Sequence, residues 1–118
     1  MSINELTLEK VDRDLMIITT GQVLDNNNAH EMVQVITSAQ EQGYKFIVID
    51  MTSLEFISSA GVGSFLGTIE TSREAGGDII LCHAREEILH VFQVLDLVEY
   101  LTIRDTLDDA KASCVQGR

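Results

Sequence analysis

The chain has 118 residues, of which 45% are hydrophobic, and its 19 acidic and 8 basic side chains give a formal net charge of −11. This length fits one domain, so we expect residues 1–118 to fold as a single unit. The negative charge disfavours nucleic acid and anionic membrane surfaces as partners and favours a basic protein surface. No apolar run approaches the roughly 20 residues of a membrane span, and the N-terminus does not resemble a signal peptide, so a cytoplasmic location is expected.

The first half of the chain predicts a hairpin, a helix and a buried strand, in that order. The segments ELTLEKV and LMIITTGQV flank the polar turn DRD, which is typical of two antiparallel strands. A helix is expected next, begun by Asp25 or one of the asparagines after it and ended at Gly43. The run KFIVID then favours a strand that is covered on both faces and ends in Asp50.

The second half predicts three more helices and two more strands. The stretch FISSAGVGSFLG begins a helix, DIILC is a second buried strand, and EEILHVFQVLDL is a third helix. A short strand near Tyr100 to Ile103 and a last helix capped by Asp105 follow. The expected core residues of the middle two helices are Val62, Phe65, Leu66 and Ile69, then Ile88, Val91, Phe92 and Leu95. The order β-β-α-β-α-β-α-β-α predicts an α/β fold: a mixed or largely parallel central sheet of about four to five strands, flanked by about four helices.

Two adjacent serines at the start of the FISSAGVGSFLG helix admit two explanations. Ser58 or Ser59 can cap the helix, which stabilises it by about 1 kcal/mol. The same place suits a phosphate group, because free backbone amides and the helix dipole favour an anion. A stripe of small residues on this helix predicts either close packing of backbones or a docking surface for another protein. The stripe consists of Ala60, Gly63, Ser64 and Gly67.

Motifs of enzymes, cofactor sites and metal sites are lacking. GVGSFLG departs from GxGxxG, GxxxxGK[ST] is absent, and ISSAG lacks the first glycine of GxSxG, so neither a nucleotide site nor a serine nucleophile is predicted. Cys82 and Cys114 have no CxxC spacing and are expected to be inert, buried thiols. His83 is expected to point away from Cys82 if the strand continues, so no metal site is predicted.

The run VIDMTSLEFISSAGVGSFLG, followed by a helix and GGDIILC, resembles the STAS domain of bacterial anti-sigma factor antagonists over nearly the whole chain. The resemblance implies a switch subunit without enzymatic activity or a cofactor. In the unphosphorylated form such proteins bind an anti-sigma factor, itself a serine kinase of the histidine-kinase-like ATPase type, and the sigma factor is freed. Phosphorylation of a serine weakens the complex, and a PP2C-type phosphatase reverses the modification.

The family pattern around that serine is an aromatic residue, an apolar residue, Asp, Ser, Ser or Thr, Gly, an apolar residue and Gly. It places the phosphorylated serine at Ser59, with Ser58 as the second candidate in the position of the usual Asp. The implied partner-binding residues, called the rim below, are Asp25, Asn26, Asn27, Asp50, Ser58, Ser59, Gly61 and Gly63. Two other functions remain open: a structural STAS subunit of a lipid-trafficking ABC transporter or a signalling scaffold, and nucleotide binding by the domain itself.

Overall fold

Residues 6–116 are described by the structure, a computed structural model, with side chains described up to Cys114. The strands are β1 (Thr7–Asp12), β2 (Leu15–Thr19), β3 (Val23–Leu24), β4 (Phe46–Asp50), β5 (Phe56–Ile57), β6 (Asp78–Cys82) and β7 (Thr102–Arg104). The helices are α1 (Ala29–Glu41), α2 (Ser59–Glu74), α3 (Glu86–Val94) and α4 (Leu107–Gln116). In the described part of the chain, no helix combines the length and the apolar character needed to cross a bilayer.

The main sheet has five strands in the order β1-β2-β4-β6-β7. β1 and β2 form the predicted antiparallel hairpin, and the other neighbouring strands are parallel. The predicted mixed α/β sheet with four helices is therefore confirmed. Because β4 and β6 are parallel neighbours, their carboxyl ends lie side by side, with Asp50 paired to Cys82.

The two faces of the main sheet are covered by different helices. α1, α2 and α3 pack on one face, where Ile47, Ile49 and Leu81 belong to the larger apolar core. α4 packs on the other face, and its Ala110 and Cys114 join a second, smaller core. Burial on both faces explains why FIVID and DIILC are continuous apolar runs rather than alternating ones.

Three helices end with a left-handed residue just beyond the C-cap. These residues are Gly43 (φ +99°), Gly76 (φ +89°) and Asp96 (φ +59°). At the end of α1 the N–H of Gly43 donates to Gln40 O and the N–H of Tyr44 donates to Ala39 O, which satisfies carbonyls that the helix leaves open. The predicted end of the first helix at Gly43 is thus confirmed.

Two details of the predicted helices are wrong. Leu95, expected in the core, is the C-cap of α3 and is 44% exposed, because the chain turns at Asp96 before the apolar stripe is complete. Asp105 was expected to cap the last helix, but the hydroxyl oxygen of Thr106 accepts the N–H of Asp109 at 3.1 Å and takes that role.

The small-residue stripe of α2 has one buried member and three exposed members. Ser64 is buried, and its hydroxyl donates to Gly61 O at 2.6 Å, so this serine serves the packing inside the domain. Ala60, Gly63 and Gly67 are exposed. Only these three residues are therefore open to a docking partner.

Candidate functional site

A second, very short sheet holds the rim together. β3 and β5 pair in parallel, with Val23 opposite Phe56 and Leu24 opposite Ile57. The next residue, Ser58, donates its N–H to Leu24 O at 3.0 Å. The turn that follows β3 is thereby fixed against the start of α2. Strands of two residues carry no periodic pattern, so the sequence could not predict this sheet.

Ser58 is the N-cap of α2, and its hydroxyl group is engaged twice. The oxygen accepts the N–H of Gly61 at 3.2 Å, and the O–H donates to the side-chain oxygen of Asn26 at 3.4 Å. Capping, one of the two explanations that the sequence allows for the serine pair, therefore holds for Ser58.

Ser59 differs from its neighbour in both position and bonding. It is the first residue of α2 and is exposed. Among the described residues, its hydroxyl has no hydrogen-bond partner. The backbone amides of the first helical turn lie beside it, and they and the helix dipole favour an added anion. Ser59 thus offers the hydroxyl that is open to modification.

The turn after β3 is ordered by Asn28, which the sequence analysis did not single out as a site residue. Its side-chain oxygen accepts the N–H of Asp25 at 2.8 Å, and its side-chain amide donates to Val23 O at 2.8 Å. The carboxylate of Asp25 accepts the N–H of Asn27 at 2.9 Å. These bonds leave Asn26 and Asn27 exposed at the tip of the turn. Their only signal in the sequence is the run of polar turn formers, DNNN.

The two rim glycines have different reasons to be glycine. A Cβ on Gly61 would stand 2.5 Å from Leu24 O, so a side chain is excluded by the close approach of the turn. A Cβ on Gly63 or Gly67 would meet nothing within 4 Å. Close packing inside the domain therefore explains why residue 61 is glycine. It does not explain the glycines at residues 63 and 67.

Asp50 lies in a different cluster from the rest of the rim. Its Oδ1 accepts from the N–H of Thr52 at 3.1 Å and from the hydroxyl of Thr52 at 2.6 Å, and it lies 3.1 Å from His83 Nδ1. Among the described residues, Asp50 has no hydrogen bond to another rim residue. The structure therefore brings the turn and the start of α2 together and places Asp50 with Thr52 and His83.

His83 connects this second cluster to α4. Its Nε2 accepts the N–H of Leu107, the first residue of α4, at 3.3 Å. Because Nε2 accepts, the hydrogen of the neutral ring is on Nδ1, from which it is shared between Asp50 Oδ1 and the hydroxyl oxygen of Thr52, 2.8 Å away. His83 thus bridges the carboxyl end of β4 and the start of α4.

The two cysteines are buried, as predicted, and both carry thiols rather than forming a disulfide. Burial, followed by the negative charge of Asp50, raises the pKa of the Cys82 thiol to about 12. The prediction about His83 is wrong: its backbone is left-handed (φ +58°), and its side chain does not continue the strand alternation. Ligand atoms of Asp50, Cys82 and His83 lie within 4.8 Å of one another, a cluster that the sequence analysis did not expect.

The chain matches a known family over most of its length. The family model described as the STAS domain matches residues 5–110, so this chain belongs to the STAS domain family. The resemblance found in the sequence is thereby confirmed.

Relatives from several bacteria share both the fold and most of the length. BtrV of Bordetella bronchiseptica, whose assigned role is anti-sigma factor antagonist, is 25% identical over 109 residues, which cover 92% of this chain and 93% of BtrV. The crystal structure of TM1081 of Thermotoga maritima, assigned the same role, has a TM-score of 0.86 at 22% identity and covers 93% of this chain and 94% of TM1081.

Two structures of SpoIIAA, one unphosphorylated and one phosphorylated, are similar to this chain. The anti-sigma factor antagonist SpoIIAA in its unphosphorylated form has a TM-score of 0.75 at 25% identity, covering 97% of this chain and 100% of that one. Bacillus SpoIIAA in its phosphorylated form has a TM-score of 0.72 at 24% identity, covering 92% and 98%.

Proposed function

We propose that this STAS protein is an anti-sigma factor antagonist controlled by phosphorylation of Ser59. In the unphosphorylated form it binds an anti-sigma factor that is also a serine kinase of the histidine-kinase-like ATPase type, and the sigma factor is released. The relatives BtrV and SpoIIAA, which carry this role in their names, support the general function. The observation that supports the switch is the exposed, unbonded hydroxyl of Ser59 beside the bonded hydroxyl of Ser58.

Ser59 is the better acceptor of the two serines for a physical reason. Transfer of a phosphoryl group to Ser58 requires its hydroxyl hydrogen to leave Asn26, and the oxygen to be esterified is half-buried and already accepts the Gly61 N–H. The contact between the turn and the start of α2 would therefore have to rearrange. Ser59 can accept the same group while the cap remains in place.

Phosphorylation would weaken the complex through charge and bulk. A phosphoserine adds about −1.5 to −2 charges, and the chain already carries a net charge of −11. A partner surface that fits a neutral hydroxyl would have to bury an unpaired charge, which costs about 3–5 kcal/mol. We therefore expect phosphorylation to weaken binding by at least about 100-fold.

The protein would act by binding alone, in the cytoplasm, as one domain formed by residues 1–118. In this mechanism the kinase supplies the catalysis, a PP2C-type phosphatase restores the hydroxyl, and the antagonist needs no cofactor. The rim offers the contact: Asp25, Asn26 and Asn27 on one side, and Ser58, Ser59, Gly61 and Gly63 on the other. Asp50 contacts the partner only if the partner also covers the carboxyl ends of β4 and β6.

The test is phosphorylation by the serine kinase encoded nearest to the gene, with ATP. Trypsin cleavage after Lys45 and Arg73 gives a peptide that contains both serines, and fragmentation in the mass spectrometer assigns the phosphate. We expect phosphate on Ser59 in wild type and in Ser58→Ala, and none on this peptide in Ser59→Ala. Ser59→Asp should weaken kinase binding, whereas Ser58→Asp, which places the family's usual Asp at residue 58, should weaken it much less.

Two results would contradict the proposal. One is phosphorylation of Ser59→Ala at the wild-type rate, and the other is kinase binding by Ser59→Asp as tight as that of wild type. Retrieval of a transporter ATPase instead of a soluble kinase by the tagged protein would favour the role of a structural transporter subunit.

A further inference from the structure

The left-handed backbone of His83 places three different donor side chains close together at the carboxyl ends of β4 and β6. His83 adopts φ +58°, a conformation that costs a residue with a side chain about 1–2 kcal/mol. In a regular strand the side chains of Cys82 and His83 would point to opposite faces of the sheet. The left-handed turn instead brings His83 to the same side as Asp50, the residue paired with Cys82 on the neighbouring strand. The strain therefore has a geometric result: a carboxylate, a thiol and an imidazole in one place.

The separations are close to those of a metal centre. The carboxylate, thiol and ring-nitrogen atoms of the three residues all lie within 4.8 Å of one another, and His83 Nδ1 is 3.1 Å from Asp50 Oδ1. Tetrahedral zinc with N and O ligands at about 2.0–2.2 Å sets those two atoms about 3.3 Å apart. The nitrogen and the carboxylate oxygen are thus already near the required spacing, and the thiol sulfur lies within the 4.8 Å that spans the cluster.

The donor set selects the kind of cation. Magnesium and calcium prefer oxygen ligands, whereas the combination of a thiolate, an imidazole and a carboxylate suits zinc and its neighbours in the first transition row. We propose that Asp50, Cys82 and His83 bind one zinc ion through a carboxylate oxygen, Sγ and Nδ1, with a water or the Thr52 hydroxyl as fourth ligand. This site is separate from the Ser59 hydroxyl and does not depend on phosphorylation.

The surroundings admit a cation and attract it. The side chain of His83 is 34% exposed and that of Asp50 is 14% exposed, so the ion can enter from solvent while Cys82 lies beneath. The charge of Asp50, which disfavours a free thiolate at Cys82, attracts a positive ion to the same place. The net charge of −11 adds a favourable long-range field.

Binding also changes the hydrogen bonding of α4. The thiol proton of Cys82 leaves to solvent as the S–Zn bond forms. The ring hydrogen of His83 moves from Nδ1 to Nε2, because the metal takes the lone pair of Nδ1 in the neutral ring. Nε2 can then no longer accept the N–H of Leu107, and that bond at the start of α4 breaks. The zinc site is therefore linked to the first turn of α4.

Cobalt(II) is the probe for this site, because it replaces zinc in such sites and gives a thiolate-to-cobalt charge-transfer band in the near ultraviolet. The full chain, freed of metal with EDTA, is titrated with Co²⁺ at pH 8. We expect one Co²⁺ per chain, with the band removed by added Zn²⁺. Cys82→Ser should abolish the band, and His83→Asn, which keeps a residue tolerant of the left-handed conformation, should weaken binding at least 100-fold.

Cys114→Ser is the matched control, since Cys114 is also a buried thiol of the same smaller core and lies outside the cluster. It should keep the band. Circular dichroism checks that every variant is folded, and the amide signal of Leu107 in ¹H–¹⁵N spectra should shift when wild type binds Zn²⁺. Absence of the band in folded wild type at millimolar Co²⁺, or an equal band in Cys82→Ser, would overturn the proposal.

Discussion

Gly61 lies so close to the backbone of Leu24 that a Cβ at residue 61 would stand 2.5 Å from the Leu24 carbonyl oxygen. Gly61→Ala must therefore push the turn after β3 away from α2, and we expect a loss of about 1–3 kcal/mol in the free energy of unfolding. Gly63→Ala is the control: it meets no atom within 4 Å and should gain about 0.5–1 kcal/mol from better helix propensity. Urea denaturation measures both, and equal effects would refute the stated role of Gly61.

The cap of α2 gives a second prediction. Ser58→Ala removes the acceptor of the Gly61 N–H and should cost about 1 kcal/mol of stability. Ser58→Asp keeps an acceptor and adds a negative charge at the positive end of the helix, so it should be at least as stable as wild type at pH 7. Thermal unfolding of the two variants side by side is the measurement. An equal loss of stability in the two variants would show that Ser58 does not act as the N-cap of α2.

The third prediction compares two apolar residues of the α3 region. Phe92 is fully buried, and Phe92→Ala should cost about 3–5 kcal/mol through the lost contacts and the cavity. Leu95 is 44% exposed, and Leu95→Ala should change stability by less than about 0.5 kcal/mol. Denaturant titration distinguishes them. A loss of stability for Leu95→Ala close to that for Phe92→Ala would show instead that Leu95 packs in the core.

Tyr100 provides a prediction at alkaline pH. Its hydroxyl donates to Glu70 at 2.7 Å, and this hydrogen bond, followed by partial desolvation, raises the pKa of Tyr100 above its usual value. Because the pKa is raised in the folded state, the stabilisation is complete below the unfolded pKa of about 10 and is lost as the pH rises through the folded pKa.

Absorbance of the phenolate during a pH titration tests this. We expect Tyr100→Phe to remove the phenolate signal of this residue and Glu70→Ala to shift the Tyr100 titration to lower pH. The same midpoint in wild type and in Glu70→Ala would contradict the assigned cause.

Much of the fold could be predicted because its signals are local. FIVI and IILC are continuous apolar runs typical of a strand that is covered on both faces, and Gly43 is a residue suited to a left-handed helix end. Where the signal was atypical, the prediction failed. Asp96 ends α3 in the same left-handed way without being glycine, so the stripe was extended by one residue to Leu95.

The candidate site was predictable in part for the same reason. The place of Ser59 followed from a resemblance carried by contiguous residues. The cap bond from Gly61 to Ser58 is local, but the further bond of the Ser58 hydroxyl to Asn26 joins residues separated by 32 positions in the chain. The cluster at His83 depends on a single left-handed backbone angle, for which histidine gives only a weak preference. Such tertiary facts leave no periodic trace in the sequence.

The pairing of β3 with β5 has a consequence for how this protein can diversify. That ladder and the bond from the Ser58 N–H to Leu24 O join the polar turn directly to the start of α2. Substitutions at Asn27 can alter the charge shown to a partner without removing the bond between Ser58 and Asn26. If the proposed function holds, kinase preference can therefore be tuned at residue 27 while Ser59 keeps its place on the same scaffold.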